Sequence, residues 1–195
     1  FVHANYELYT RFSEYIREIF LRFTDQVEPF GLDEAWLDCT ASQSLFGTGE
    51  EIAKQISDTV KDELGITCSV GVSWNKVFAK LGSDYKKPDA ITQFHRGNYK
   101  EIVWGLPVSD LLYVGRQTNK KLQKLGIHTI GQLAQTDEKL LDSHFGKSVW
   151  CYGHLQMDMT RIRFVRKDMK LRSSRLETVQ RHRETWKRIW MCGLF

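Results

Sequence analysis

The sequence lacks several patterns that mark common classes of protein. It contains no run of about 18 apolar residues, which excludes an ordinary transmembrane helix. Its first residues show no charged segment followed by an apolar one, so no signal peptide is expected, and the absence of an initiator methionine suggests a fragment. The six histidines form no H-E-x-x-H pattern, which argues against a His-ligated metal. The cysteines at 39, 68, 151 and 192 show no C-x-x-C spacing, so we expect free thiols in a reducing cytosol.

Proline is scarce, and its distribution divides the chain. All three prolines and twelve of the fourteen glycines precede residue 151. Residues 1–150 carry 17 Lys and Arg against 20 Asp and Glu, a net charge of −3. Residues 151–195 carry 11 against 4, a net charge of +7. The composition therefore changes near residue 150, although a hydrophobic content of 42% is enough for a folded core.

The most informative stretch is 27–38, where two adjacent acids interrupt an apolar run. Asp33 and Glu34 lie between short β-prone segments near Gly31, which predicts a strand-turn-strand with the acids at its tip. Neighbouring residues in a strand point to opposite faces, so both acids can serve one site only if the turn makes them converge. Converging carboxylates suit Mg²⁺ bound together with substrate phosphates. A solvated acidic turn is the alternative.

The surrounding segments predict a mixed α+β sandwich. Apolar residues at helical spacing predict helices over about 9–23 and 49–64, the second ending at Gly65, and 66–74 has the composition of a strand. A short helix then places Lys76 and Lys80 on one face. Such lysines are ordinarily solvated. Beside a metal-binding hairpin they are candidates for neutralising a nucleotide triphosphate.

The segment after Pro107 predicts small helices. We expect a helix, a glycine-containing turn and a helix over 108–127, then a second helical pair over 128–145. The turn at Val114-Gly115 opens a helix whose first N–H groups can hold a phosphate. The candidate DNA-backbone contacts are Val114, Gly115, Arg116, Thr118, Lys120 and Lys121. A helical hairpin with a basic, soluble face is the alternative.

Three ordered motifs resemble those of Y-family DNA polymerases of the DNA polymerase IV type. They are GLDEAWLD at 31–38, GVSWNKVFAKLGSD at 71–84 with Lys87-Pro88, and LYVG at 112–115 with LGI at 125–127. The resemblance implies a palm domain with a two-metal nucleotidyl-transfer site, small fingers, a helix-hairpin-helix thumb and a C-terminal little finger. It also implies copying past damaged template bases in the bacterial cytoplasm, close to the nucleoid.

The resemblance assigns roles by position. Asp33 resembles the palm aspartate that binds Mg²⁺, and Glu34 resembles its neighbour near the catalytic metal. Lys80 resembles the lysine that contacts the incoming dNTP, with Lys76 as a second candidate. Gly115 and its neighbours resemble the thumb hairpin that grips DNA. The implied cofactor is Mg²⁺, two ions in the complete enzyme, and the implied partners are primer-template DNA, dNTP and, as a further candidate, a sliding clamp, with no membrane.

The chain also departs from the family pattern. The family begins with a strand that carries another metal-binding aspartate, followed by aromatic residues that exclude ribonucleotides, and neither precedes Phe1. We therefore expect that this chain alone does not extend a primer. The predicted organisation is a partial palm over 1–105, a helix-hairpin-helix thumb over 106–148 and a basic tail over 149–195.

The tail does not read as a little-finger domain in its own frame. Residues 172–187 can be encoded so that a shifted frame reads I-K-S-I-G-N-S-T-T-T-P-R-D-L-E, a family-like run. Residues 152–160 can be encoded so that the same frame reads L-W-T-F-A-N-G-Y-D. We therefore hypothesise a frameshift after Gly146-Lys147, which would leave 149–195 out of frame and poorly packed. A genuine basic DNA-binding tail is the alternative.

Two other functions fit parts of the sequence. A non-catalytic DNA-binding module would use only the helix-hairpin-helix. A nucleotide cyclase would use a comparable palm and metal pair, but a cyclase has no need of a segment that holds duplex backbone.

Overall fold

The structure is a computed structural model that describes residues 3–145 and 190–194. Within these ranges, helices and strands alternate in the first hundred residues and helices alone follow up to residue 145. In chain order the elements are α1 (Tyr6–Leu21), β1 (Val27–Pro29), β2 (Glu34–Asp38), α2 (Gln43–Phe46), α3 (Gly49–Leu64), β3 (Ser69–Ser73), α4 (Lys76–Tyr85), β4 (Ile91–Gln93), α5 (Tyr99–Val103), a 3-10 turn (Val108–Asp110), α6 (Arg116–Lys124), α7 (Ile130–Gln135), α8 (Glu138–Phe145) and β5 (Trp190–Leu194).

The strands form one mixed sheet in the order β1-β2-β5-β3-β4. β1 and β2 are an antiparallel hairpin in which Val27 pairs with Leu37. β5 is antiparallel to both of its neighbours, β2 and β3, whereas β3 and β4 are parallel and joined through α4. The predicted α+β class and the predicted acidic hairpin are both confirmed.

One face of the sheet packs against α1 and α3. Alternation along β2 sends Ala35 and Leu37 into the same apolar cluster as Ile16 of α1 and Ile52 of α3. α3 begins with a capping box between Thr48 and Glu51 and ends at Gly65, whose φ of +66° is readily available to glycine. The predicted bounds of this helix are therefore confirmed.

The opposite face of the sheet packs against α4. Trp36, which points away from Leu37, contacts Ala79 in a small apolar cluster completed by Phe30 and Leu112. The backbones of α4 and β3 approach closely, because Gly71 has no side chain to keep the helix away and Gly82 faces it. This close packing fixes where the lysines of α4 lie relative to the hairpin.

A second apolar core joins α4 to the later helices. Trp74 and Phe78 share this cluster with Val108, Leu122 and Leu141. The core therefore crosses residue 105, where the sequence predicts a domain boundary, and that boundary remains a prediction. The helix expected just after Pro107 is only a 3-10 turn, while α6, α7 and α8 confirm the rest of the predicted helical segment.

The end of the chain differs from expectation. The sequence predicts a poorly packed tail over 149–195, yet Trp190–Leu194 forms the central strand of the sheet. Met191 is 1% exposed inside the core between the sheet and α1 and α3. Residues 146–189, on which the rest of this prediction falls, lie outside the described residues.

The described residues bear on two sequence-based expectations, which concern membrane-spanning helices and free cysteines. There, no helix is both long and apolar enough to cross a membrane. Cys39 and Cys68 are buried free thiols, as predicted. Burial, with a smaller contribution from Asp38, raises the pKa of Cys39 to about 12.

Candidate functional site

Glu34 opens β2 at the tip of the acidic hairpin. The turn before it depends on Gly31, whose φ of +82° is unfavourable for other residues, and is closed by a 2.8 Å hydrogen bond from Phe30 N–H to the Glu34 carbonyl. The Glu34 side chain is 16% exposed, and its Oε1 lies 3.3 Å from Lys80 Nζ. Its Oε2 is buried and has no hydrogen-bond partner among the described residues. Glu34 therefore presents one carboxylate oxygen available for a cation or a donor.

Asp33 does not share this environment. Its exposed side chain borders a pocket of about 490 Å³ that is lined mainly by α1 residues, including Leu8, Tyr9 and Phe12. Glu34 lies on the side of α4, where its carboxylate contacts Lys80. The convergence of the two carboxylates and the metal-binding role of Asp33 both remain predictions.

Lys80 lies between two carboxylates. α4 is started by Asn75, whose side chain accepts a 2.8 Å hydrogen bond from Phe78 N–H, and this start directs Lys76 and Lys80 toward the hairpin. Besides Glu34, Lys80 Nζ lies 2.5 Å from Oδ2 of Asp84, one helical turn later. The Lys80 side chain is only 11% exposed. Lys80 thus lies close to the acidic hairpin, as expected, whereas its contact with the incoming dNTP stays a prediction.

Asp84 extends this pair into a network of alternating charges. Its Oδ1 lies 2.7 Å from Lys87 Nζ. Partial burial tends to raise the pKa of Asp84, but the hydrogen bonds from Lys80 and Lys87 outweigh it and hold the pKa below its ordinary value. Sequence reasoning did not single out Asp84 or Lys87 as partners of the site. The four-residue spacing of Lys80 and Asp84 was the signal that could have identified the first.

Lys76 is placed differently from Lys80. It is 6% exposed, and its Nζ lies 2.6 Å from Oε2 of Glu28 and 5.2 Å from the centre of the Trp36 ring. Trp36 Nε1 donates a 3.1 Å hydrogen bond to the Lys76 carbonyl. This lysine thus joins α4 to β1. Because its side chain is buried and paired with Glu28, it is not exposed to an incoming nucleotide, and its predicted nucleotide contact stays a prediction.

The predicted DNA contacts lie at the start of α6. Gly115 is the N-cap of the helix, as predicted, and has no side chain that could accept a hydrogen bond from the first N–H groups. Arg116, Lys120 and Lys121 are exposed, whereas Val114 is buried and contributes only backbone. The preceding Leu112 packs near Trp36, which places this turn on the same side of the sheet as α4.

The described residues do not form a complete metal centre. Within 3–145 and 190–194, no group of three His, Cys, Asp or Glu side chains lies close enough together to hold a metal ion. Among the residues that the structure describes, Glu34 is the acid with a buried carboxylate oxygen that has no hydrogen-bond partner, so it could contribute one ligand to such an ion. Any cation bound here would take its other ligands from Asp33 after rearrangement, from substrate phosphates, from water or from groups outside the described residues.

Comparisons with known proteins agree with the resemblance noted in the sequence. Residues 1–84 match the impB/mucB/samB family model, called IMS. A DNA polymerase IV of Acetivibrio thermocellus is 54% identical over 151 residues, which cover 77% of this chain and 37% of that protein. A DNA polymerase IV of Lactococcus lactis subsp. cremoris is 42% identical over 150 residues, 77% of this chain and 41% of that protein. The chain thus spans about two fifths of the length of these curated relatives.

Solved structures give the same result. DinB from Sulfolobus solfataricus has a TM-score of 0.71 at 26% identity, over 79% of this chain and 46% of that one. An insertion ternary complex of Dbh DNA polymerase has a TM-score of 0.71 at 25% identity, over 78% and 45%. The fold, the ordered motifs and the relatives lead to one conclusion: residues 1–84 match the impB/mucB/samB family, and the chain is similar to Y-family DNA polymerases of the DNA polymerase IV type, which are metal-dependent nucleotidyltransferases.

Proposed function

We propose that this chain forms palm and thumb segments of an error-prone translesion DNA polymerase, which adds dNTPs to a primer 3′ end during DNA damage tolerance in the bacterial cytoplasm. The observation that carries the proposal is the contact between Glu34 and Lys80 at the hairpin tip. An acid with one unpartnered oxygen suits a cation, and the adjacent ammonium suits the phosphates that such a cation accompanies.

Mg²⁺ is the proposed cofactor. When bound, two ions would stabilise the attacking 3′ oxygen and the leaving pyrophosphate in an in-line displacement. Glu34 would hold one of them. Asp33, the adjacent residue, is the second proposed ligand; it borders the pocket beside α1.

Lys80 would bind the incoming triphosphate. Its ammonium is held by Glu34 and Asp84, so phosphate binding requires it to exchange at least one of these contacts. A cation on Glu34 would favour that exchange, because it neutralises the carboxylate that now attracts the ammonium. This dependence predicts that nucleotide binding through Lys80 needs a divalent cation.

The start of α6 would hold the DNA backbone. Its first N–H groups, with Arg116, Thr118, Lys120 and Lys121, would offer hydrogen bonds and positive charge to phosphates without reading bases. Binding of this kind weakens as salt rises, because each neutralised phosphate releases counterions. Contact with a sliding clamp rests on the family resemblance alone.

The test is binding of a fluorescent dNTP to the full chain, measured by anisotropy with and without Mg²⁺. We expect Mg²⁺-dependent binding that weakens at least tenfold in Glu34→Gln and in Lys80→Gln, because each change removes a charge-assisted contact. The matched controls are Glu50→Gln and Lys54→Gln, exposed residues of α3, and both should bind as the parent does. Unchanged binding in Glu34→Gln would contradict the proposal.

Primer extension is tested separately. We expect no extension by this chain alone, and extension of a primer by the purified chain would refute that expectation. Primer-template binding without extension is the result that the thumb segment predicts.

A non-catalytic DNA-binding module is the second candidate, favoured by the exposed basic start of α6. It predicts DNA binding that does not depend on Mg²⁺, is unaffected by Glu34→Gln and is weakened by Lys120→Gln. The nucleotide cyclase considered from sequence receives no support, since the relatives and structures found are DNA polymerases.

A further inference from the structure

A pocket of about 490 Å³ lies between the start of α1 and the tip of the acidic hairpin. Its volume falls within the range of about 300–1,000 Å³ that is usual for small-molecule sites. Most of its lining is apolar or aromatic and comes from Leu8, Tyr9, Phe12, Leu32 and Ile66. The polar lining residues are Ser13 and Asp33. An apolar cavity with a few polar groups is the common construction of a ligand site.

The walls of this pocket are held by a helix cap and by packing. Asn5 starts α1 by accepting a 3.1 Å hydrogen bond from Leu8 N–H. The ring of Tyr9 meets the ring of Tyr6 edge-on, with 6.1 Å between their centres. Ile66 packs against the core beneath α1 and α3. The pocket is therefore already formed in the chain, which favours binding because a ligand does not have to order its walls.

Ser13 carries a buried hydroxyl without a partner. The residue is 2% exposed and belongs to the side of α1 that faces the core. A serine or threonine within a helix often donates to the carbonyl four residues before it, as Thr10 does to Tyr6 over 2.9 Å. Ser13 Oγ makes no such bond, nor any other with the residues that the structure describes. A buried hydroxyl without a hydrogen bond costs free energy, and a ligand in the pocket would supply the missing bond.

Asp33 places negative charge at the exposed end of the pocket. Within the described part of the chain, its exposed carboxylate has no ion pair and no side-chain hydrogen bond. Arg17 reaches the same turn, but it donates a 3.4 Å hydrogen bond to the Gly31 carbonyl instead of pairing with this acid. Aromatic rings also attract cations through their faces, and two of them line the same cavity. The charge pattern therefore favours a cationic ligand.

From these observations we infer that the pocket beside α1 binds a small aromatic amine. The ring of the ligand lies among Tyr9, Phe12 and Ile66. Its protonated amine pairs with Asp33 at the exposed end, and a hydrogen-bond donor on the ring reaches Ser13 Oγ at the buried end. The two polar contacts fix the orientation of the ligand, while the apolar walls supply the burial. The inference does not depend on the proposed polymerase activity, because it concerns binding in the absence of a divalent cation.

The test is binding of tryptamine to the immobilised full chain, measured by surface plasmon resonance in buffer without divalent cations. Tryptamine carries a protonated amine at neutral pH and an indole N–H that donates a hydrogen bond. We expect saturable one-to-one binding with a dissociation constant of about 1 mM or lower. Indole-3-propionate, which has a carboxylate in place of the amine, should bind at least tenfold more weakly. The net charge of +4 on the chain would by itself favour the anion, so this order reports the local site.

Two variants assign the polar contacts. Asp33→Asn should weaken tryptamine binding at least fivefold, because it removes the charge that pairs with the amine. Asp142→Asn, the matched control at an exposed residue of α8, should bind as the parent does. Ser13→Ala should abolish the preference for tryptamine over 1-methyltryptamine, which lacks the N–H donor. The Tm of Ser13→Ala should equal or exceed that of the parent, because the hydroxyl has no described partner to lose and alanine favours a helix.

Several outcomes would overturn the inference. They are the absence of saturable binding, equal binding of the amine and the carboxylate, and unchanged tryptamine binding in Asp33→Asn. A preference for tryptamine over 1-methyltryptamine that survives in Ser13→Ala would overturn it as well. So would a lower Tm in Ser13→Ala, since it would show that the hydroxyl is already bonded within the chain.

Discussion

Replacing Gly71 by alanine would force a methyl group into the backbone of α4. A Cβ built at Gly71 overlaps the Ala79 carbonyl oxygen and the Ser83 nitrogen, and lies 2.8 Å from the Gly82 carbonyl carbon. None of these atoms belongs to a flexible side chain, so relief requires the whole helix to move away from β3. Overpacking of a well-packed core costs about 1–3 kcal/mol. Because three backbone atoms are involved, we expect a loss near the upper end, about 3 kcal/mol.

The assay is urea unfolding of the full chain followed by far-UV circular dichroism. In thermal unfolding of a domain of this size, the same loss of about 3 kcal/mol corresponds to a fall in Tm of roughly 6–12 °C. Gly105→Ala is the matched control, because a Cβ at Gly105 meets no atom within 4 Å. A Gly71→Ala variant whose free energy of unfolding lies within about 0.5 kcal/mol of that control would refute the close-packing argument.

Three further predictions concern groups around the site. Glu28→Gln removes the ion pair of the buried Lys76 ammonium and should lower the free energy of unfolding by about 1–3 kcal/mol, measured in urea. Glu50→Gln, a control at an exposed residue, should change it little. Equal stability of the two variants would contradict the role given to Lys76. Asp84 has a lowered pKa in the folded state, so its contribution to stability is present above the ordinary aspartate pKa of about 4 and is lost as the pH falls through the folded value. The Tm difference between the parent and Asp84→Asn should therefore shrink from pH 7 to pH 3, and a constant difference would count against this network. Cys39, whose pKa is raised to about 12, should resist alkylation at pH 8 in the folded chain and react after denaturation. Peptide mapping of the labelled chain measures this. Rapid labelling of the folded chain would show that this thiol is not buried.

Sequence patterns predicted the local features of the site. Lys76 and Lys80 are four residues apart, so any helix over that segment places them on one face. Gly31 between two β-prone runs predicted the hairpin, and Gly115 predicted the start of α6. The ordered motifs around these residues were specific enough to indicate the polymerase family by themselves.

Patterns along the chain did not predict which partner each charge meets. Glu28 and Lys76 are 48 residues apart, and only the packing of α4 on the hairpin brings them together. Residue types also did not specify that Glu34 meets Lys80 of α4 while Asp33 borders a pocket lined by α1, because the turn geometry decides this.

The sequence by itself determined the helices, the hairpin and the family, because capping residues, apolar periodicity and glycine positions act over a few neighbouring residues. Only the tertiary structure decided that Trp190–Leu194 fills the centre of the sheet and that Lys80 lies between Glu34 and Asp84. These arrangements join segments far apart in the chain. They depend on the total burial and pairing that the whole fold achieves, which no local pattern specifies.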